Sequence, residues 1–150
     1  MKRITLLLSI LSLILSAQKL EITADKFIAK DADKKVSFIG NAKIAQGSTR
    51  VQAAEIFLYF NEDNSTKMYQ AKGSVTFHIK KAKTNYRGSC SQMKYFPKTK
   101  TYLLTGGVHV KDKQNGREMT ASRIEINAQT GAFSVSGNRK RAAKLVFDIQ

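Results

Sequence analysis

The sequence predicts an all-β domain, a twisted antiparallel sandwich or jelly roll built from about four repeats of a strand pair. Apolar and polar residues alternate with the period of two that is typical of half-buried strands. Glycines in similar settings recur at near-equal intervals, which indicates a repeated unit that must stack to bury its apolar face. The chain has one proline and no convincing run of helical period. We therefore expect a dozen or more short strands.

The first 17 residues are predicted to be a signal peptide. A short basic start precedes an uncharged, mostly Leu/Ile run over 4–15, and Ser16 and Ala17 follow. A membrane span needs roughly 20 apolar residues, so this run suits a secretory signal better. Cleavage after Ala17 places Leu15 where a small residue is preferred, and a retained N-terminal anchor is the alternative. Residues 18–150 are predicted to form one domain.

The charge of the chain predicts an anionic partner. Removing Lys2 and Arg3 leaves 24 of the 26 basic residues against 11 acidic ones, a net charge of about +13 for the mature chain. Nucleic acid, an acidic polysaccharide or phosphorylated lipid headgroups would satisfy such an excess. The alternative is that the charge serves only solubility.

The first element of the repeat is a strand that contains a glycine. Gly40, Gly73, Gly106 and Gly137 are separated by 33, 33 and 31 residues. Apolar residues lie two and four positions from these glycines, on the face that also carries the glycine. A glycine there either leaves room in the interior or forms a bulge or tight bend. Their common register favours one shared geometric cause.

The second element is a strand in which the apolar parity changes. It has the sequences ITADKFIA (22–29), VQAAEIFL (51–58), GSCSQMKY (88–95) and MTASRIEI (119–126). A strand that keeps one side buried through such a change must bend, and small residues are required at the bend. Cys90 occupies the slot that alanine fills in the other units, which predicts a small buried residue rather than a reactive thiol. A lone cysteine also excludes an internal disulfide.

Catalytic and metal sites find no support in the pattern. His78 and His109 have the polar parity of their strands, and Asp25 has only alanine or serine in the equivalent slots. Paired carboxylates, a phosphate loop and zinc spacings are missing from the sequence. We therefore expect neither an enzyme nor a bound metal or cofactor. Basic and aromatic residues interleave in KYFPKTKTY (94–102), as in single-strand binders, but an exported chain meets little nucleic acid, so no nucleic-acid partner is expected.

Several motifs, in order, resemble the periplasmic lipopolysaccharide-transport protein A family, the LptA or OstA-like group. They are SFIGNAKIAQGSTRVQAAEI (37–56), SQMKY (91–95), LLTGGVHV (103–110) and TGAFSVSGNRKR (130–141). The resemblance covers about residues 20–147. Two positions depart from the family pattern: Ala54 stands where Asp is frequent, and Gly107 replaces the usual Asn.

This resemblance implies an OstA-like jelly roll with an open V-shaped section, whose apolar groove holds the lipid A acyl chains of lipopolysaccharide. It also implies a periplasmic protein that stacks end to end between an LptC-like inner-membrane component and an LptD-like outer-membrane translocon. The positions that match the family's groove are Leu20, Ile22, Phe77 and Tyr95. Strand parity alone adds Phe38, Ile44, Val75, Leu104, Val108, Val110, Ile124 and Phe133 to the inward face.

The last unit departs from the repeat. Its inward slots after Gly137 hold Arg139 and Arg141, which we assign to rim charge that meets lipid headgroups. No later unit covers the final strand, and an uncovered edge can pair with another chain. The predicted stacking ends are Leu20 and Ile22 at one side and Leu145, Phe147 and Ile149 at the other. Two alternatives stay open: a membrane-anchored LptC-like component with the same domain, and a polyanion or nucleic-acid binder.

Overall fold

The computed structural model describes residues 19–81 and 84–149. The predicted signal peptide, and with it the choice between cleavage and a retained anchor, lies outside the described residues. Within them the chain forms ten β-strands and one short 3-10 turn at Asp31–Asp33. The strands are β1 (Leu20–Thr23), β2 (Lys26–Lys30), β3 (Lys35–Gln46), β4 (Thr49–Phe60), β5 (Thr66–Lys81), β6 (Thr84–Phe96), β7 (Thr101–Asp112), β8 (Arg117–Asn127), β9 (Phe133–Ser136) and β10 (Lys144–Phe147).

All strands belong to one open antiparallel sheet, which confirms the predicted all-β class. The order is β1-β3-β4-β5-β6-β7-β8-β10, with β2 beside β1 on β3 and β9 beside β10 on β8. Strands β3 to β8 follow one another as hairpins, and each strand is 11 to 16 residues long. They are longer than the short strands expected, because the chain bends within them at bulges instead of ending.

The bends form a line across the sheet, which we call the bulge column: Gly40–Asn41, Gly73–Ser74 and Gly106–Gly107. The register shifts by one residue at each of these pairs, because the two residues of the pair lie opposite one residue of the neighbouring strand. Both members of each pair have positive φ, between 47° and 85°. That left-handed region favours glycine, and asparagine is the next best tolerated residue.

The glycine of each pair is also required by close packing between strands. A Cβ on Gly73 would lie 2.7 Å from the Cβ of Ala54, and one on Gly106 would lie 2.6 Å from the Cβ of Ser91. These small residues fill the slot next to the bend, so the bulge, and not room in the interior, explains the repeated glycines. The slot before them holds small buried residues, and Cys90 is confirmed there, 6% exposed and paired with Val75.

Gly137 does not share this cause, and the expectation of one role for all four glycines is wrong. It lies between β9 and β10, where an added Cβ would come within 2.5 Å of the Ala143 backbone nitrogen. β9 and β10 pair with different stretches of β8, so the chain leaves the sheet between them. The predicted inward slots of Arg139 and Arg141 are therefore also wrong: both are exposed outside any strand.

The bulge column divides the sheet into two layers that enclose the core. Layer A consists of β1, β10 and the halves 42–46, 49–53, 75–81, 84–90, 108–112 and 117–121, while layer B consists of β2, β9 and the remaining halves. Contacts cross between them: Arg117 of layer A stacks on Phe133 of layer B, 4.5 Å from its ring centroid. Across residues 19–81 and 84–149, no helix is long or apolar enough to span a membrane.

Candidate lipid-binding groove

The inner face of layer A is an apolar row that runs across the sheet. Cross-strand pairing places Ile22, Ile44, Val51, Phe77, Gly88, Val110, Met119 and Leu145 side by side. Gly88 leaves no room for a side chain, since a Cβ there would clash with the backbone carbonyl of His109 and would lie 3.0 Å from Phe77 Cζ. The row is buried in its middle and becomes exposed toward both sheet edges. It supplies one apolar wall of the interior.

The inner face of layer B carries a ladder of stacked tyrosines. Tyr69, Tyr95 and Tyr102 are direct cross-strand partners. Their ring centroids are 5.7 Å apart for Tyr69 and Tyr95 and 4.4 Å apart for Tyr95 and Tyr102. Burial raises the pKa of Tyr95 and Tyr102 above the usual value. Tyr95 and Tyr102 therefore stay uncharged at neutral pH, and the three rings form a broad aromatic wall.

A narrow cavity separates the tyrosine ladder from layer A. Leu20, Ile44 and Val51 border it on one side, and the tyrosines with Ala71 and Met93 on the other. Its volume of about 40 Å³ holds only a few water molecules. The two layers are thus closed on each other in this structure, and an acyl chain enters only if they separate.

The cavity opens at the edge opposite the bulge column into a larger mouth of about 460 Å³. Gln46, Thr49, Tyr69 and Tyr95 border both spaces. Lys80 and Lys81 line the outer part of the mouth. The mouth is consequently aromatic inside and cationic outside, which suits an anionic amphiphile.

Sequence reasoning did not identify Lys80 and Lys81. The available signal was the parity of β5, in which Val75, Phe77 and Ile79 are inward and Lys81 takes the next inward slot. A lysine in that slot marks the position where the interior meets solvent.

The twelve predicted groove residues all lie on strands that face the interior or its edge. Tyr95, Ile44 and Leu20 border the cavity. Val75 and Val108 flank the bulge column and are fully buried. Of the others, Phe77, Leu104, Val110 and Ile124 are buried, while Ile22, Phe38 and Phe133 are half-buried. Most of the set therefore forms core in this closed arrangement.

The two ends of the sheet carry the large exposed apolar side chains of the described part of the chain. At the first end these are Leu20, Phe27, Ile28 and Ile39, and at the second Leu145, Val146, Phe147 and Ile149. The predicted stacking residues thus lie at opposite ends of one sheet. Arg139 and Arg141 lie in the exposed loop between β9 and β10 at the second end.

A buried ion pair closes the hairpin between β7 and β8. Asp112 is 1% exposed and accepts hydrogen bonds from Arg117 and from the side chain of Asn115. Burial alone would raise the pKa of Asp112, but these hydrogen bonds hold it below its usual value. Arg117 is thereby fixed where it stacks on Phe133. The pair has a structural explanation and needs no chemical role.

The Cys90 thiol is poorly suited to act as a nucleophile. Burial raises the pKa of the Cys90 thiol from 9.0 to about 11. No group of three His, Cys, Asp or Glu side chains within 19–81 and 84–149 is arranged to hold a metal ion.

The fold and site define a class of protein: an open, two-layered β-jelly roll with an apolar interior and unpaired sheet edges. Residues 21–132 match the model of the family described as LptA/(LptD N-terminal domain) LPS transport protein. The chain belongs to this lipopolysaccharide-transport family, as the resemblance of its motifs predicted.

The solved structures include a similar one, described as the crystal structure of LptH, the LptA homologous periplasmic component of the conserved lipopolysaccharide transport device from Pseudomonas aeruginosa. The TM-score is 0.77 at 16% sequence identity, over 88% of this chain and 96% of that one. At this identity the likeness establishes the fold. No curated protein matches the chain.

Proposed function

We propose that this protein carries lipopolysaccharide through the periplasm by holding the lipid A acyl chains between its two sheet layers. The observation that carries this proposal is the apolar interior that opens through an aromatic mouth bordered by Lys80 and Lys81. Aromatic and aliphatic walls suit acyl chains, and ammonium groups at the rim suit lipid phosphates. Arg139 and Arg141 add positive charge at the second end of the sheet.

Apolar burial supplies most of the affinity in this mechanism. Each buried CH₂ group contributes about 0.8 kcal/mol, so a dozen contribute roughly 10 kcal/mol. An exposed ion pair contributes about 0–1 kcal/mol. Opening the layers costs some of the protein's own apolar contacts, which the acyl chains replace. Because such contacts are non-directional, lipid can slide along the interior without breaking specific bonds.

The exposed apolar ends suit assembly end to end. In such a row, β1 and β2 of one copy pair with β10 and β9 of the next, which continues both layers and the interior between them. The interface is heterologous and does not close on itself. The terminal copies would pair with an LptC-like inner-membrane component and an LptD-like outer-membrane translocon.

Site-specific photo-crosslinking to lipid A tests the interior model. A benzophenone amino acid at Tyr95 projects toward the mouth, while the same group at Lys94 projects outward from the adjacent position. We expect lipid A to label position 95 and to leave position 94 unlabelled. Equal labelling at the two positions would contradict the model.

The salt dependence of binding separates this function from polyanion binding. Nucleic-acid binding weakens steeply with salt because counterions are released, whereas acyl-chain burial persists. We expect crosslinking at position 95 to remain in 0.5 M salt. Its loss there would favour the polyanion reading.

A further inference from the structure

The outer face of layer A carries a basic groove on the side opposite the interior. The groove extends from β1 to β6 and has a volume of about 750 Å³, within the range of roughly 300–1,000 Å³ that is usual for ligand sites. Lys43, Arg50, His78 and Arg87 line it. These side chains alternate along their strands with inward residues such as Phe77, which is 4% exposed.

Two of the groove cations, Arg50 and Arg87, lie in one cross-strand row, whereas Lys43 faces Gln52 in the neighbouring row. Arg50 pairs with His78 and His78 with Arg87, and Lys111 continues the row on β7. Arg87 and Lys111 are like charges in facing positions, and such pairs destabilise a sheet. Within the described residues neither Arg50 nor Arg87 makes an ion pair with a carboxylate. A bound anion would remove this repulsion.

The two guanidinium groups are held in place by hydrogen bonds. Nη1 of Arg50 donates to the carbonyl oxygens of Gly47 at 2.6 Å and Thr49 at 2.8 Å. Nη2 of Arg87 lies 3.4 Å from Nδ1 of His78, whose Nε2 lies 2.9 Å from Oδ1 of Asn85. Because arginine can only donate, Nδ1 of His78 is the acceptor in this contact and Nε2 faces the Asn85 oxygen. The imidazole thus lies between the two arginines of the row.

A second row of uncharged polar side chains runs beside the cations. Gln52, Thr76 and Ser89 are direct cross-strand partners and also line the groove. They lie two residues along each strand from the cation row, a separation of roughly 6.6 Å at about 3.3 Å per residue. The groove therefore presents two guanidinium groups in one row and uncharged hydroxyl-binding groups in the next, where Lys43 adds a third cation beside Gln52.

We propose that this outer groove binds the phosphorylated saccharide of lipopolysaccharide, with phosphate on Lys43, Arg50 and Arg87 and sugar hydroxyls on the Gln52 row. The identity of the ligand rests on the proposed function, and its chemistry rests on the two rows. Arginine recognises phosphate through paired hydrogen bonds. Among the described residues no exposed Phe, Tyr or Trp ring lines the groove, which disfavours single-stranded nucleic acid, since that ligand needs stacking surfaces.

The groove and the interior cavity lie on the two faces of the same strands. Ile44 and Val51 border both spaces. At the sheet edge, Leu20 faces the cavity while Glu21 and Thr23 face the groove. The proposed saccharide site and the proposed acyl-chain site thus lie on opposite faces of one sheet layer.

Calorimetric titration with delipidated, phosphorylated lipopolysaccharide oligosaccharide tests this site. The variant K43Q/R87Q removes two cations and spares Arg50, which supports the turn after β3. We expect roughly tenfold weaker binding or more, because two charge-assisted hydrogen bonds are lost. The matched control K67Q/R123Q removes one lysine and one arginine from exposed positions on layer B and should bind as the unmodified chain does. Thermal unfolding of all three proteins verifies that they fold.

The outcomes distinguish binding in the groove from nonspecific attraction by charge and from lipid binding in the interior. Equal weakening in both double variants would overturn the proposal, as would equal affinity for dephosphorylated oligosaccharide. If inorganic phosphate or an oligonucleotide binds as tightly as the oligosaccharide, the saccharide assignment is wrong. Lipid A crosslinking at position 95 should be unchanged in K43Q/R87Q, so failure of the groove and failure of the interior model are read separately.

Discussion

Adjacent glycines in β7 show how different demands act on single residues. Gly106 and Gly107 both have positive φ, at 80° and 55°. A Cβ on Gly106 would meet Ser91 at 2.6 Å, whereas one on Gly107 would meet nothing within 4 Å. The first glycine is therefore required by conformation and packing together, and the second by conformation alone.

This difference predicts unequal effects of G106A and G107A on the free energy of unfolding. A left-handed alanine costs about 1–2 kcal/mol, which is the whole expected cost for G107A. G106A adds a steric clash with a neighbouring strand, and we expect about 1–3 kcal/mol more. Urea denaturation of both variants measures the difference. Equal midpoints would show that the bulge absorbs the added methyl group.

Cys90 is predicted to be replaceable. C90A keeps a small residue at the bend, as the other units do, and should cost about 1 kcal/mol or less and leave lipid binding intact. Because the folded pKa is raised from 9.0 to about 11, the unfolded thiol ionises first as pH rises. The thiol's contribution to stability is thus unchanged below pH 9 and falls between pH 9 and 11.

Chemical denaturation at pH 8 and pH 10.5 checks both statements. Between these values the unmodified chain should lose more stability than C90A, and the difference between the two isolates the thiol from the tyrosines, which also titrate. A pronounced loss of lipid binding in C90A would show that the thiol has a role beyond filling space.

At the scale of the element, strand β10 lies at one edge of the sheet and all four of its residues are exposed. Leu145 and Phe147 are 44% and 52% exposed. We expect L145K/F147K to weaken end-to-end assembly at least about tenfold, since charge on an edge strand opposes pairing with another chain. Sedimentation velocity over a range of concentrations measures this.

The control for the edge variant is Q114K/Q129K, which adds the same two charges in exposed turns. It should assemble as the unmodified chain does. Normal assembly of L145K/F147K, or of a chain that lacks residues 144–150, would show that this edge is not the interface.

The elements differ in how far the sequence predicted them. Parity identified the inward residues of β3 to β8, because burial on one face imposes a period of two on each strand. Gly40, Gly73 and Gly106 also gave a local signal, because the positive φ of a bulge favours glycine. The different role of Gly137, and the positions of Lys80 and Arg87 at a mouth and in a groove, depend on which strands pair and in what register. Those pairings join residues distant in sequence, and local patterns do not encode them.

At the scale of the whole molecule, the closed interior predicts a change of shape on binding. A cavity of about 40 Å³ admits acyl chains only when the layers part at the mouth. Hydrogen exchange with lipid A present should therefore speed up at the mouth, near Gln46, Thr49 and Tyr95. The fully buried residues beside the bulge column, Val75 and Val108, should stay protected.

Mass spectrometry of peptides from the two regions measures this exchange. Faster exchange at Val75 and Val108 than at the mouth would place the opening at the wrong side of the molecule. A uniform gain in protection would show that lipid binds without separating the layers.

The bulge column has a consequence for mechanics. It crosses the sheet from β3 to β8, so we expect the strands to bend there at one common level. The hydrogen-bond ladders on either side would stay intact. If copies join edge to edge, their bulge columns align. A copy that opens must then bend the paired edge of its neighbour. Opening is then shared by the row rather than confined to one copy. A lipid that enters one copy would favour the opening of the neighbouring copy, to which it moves next.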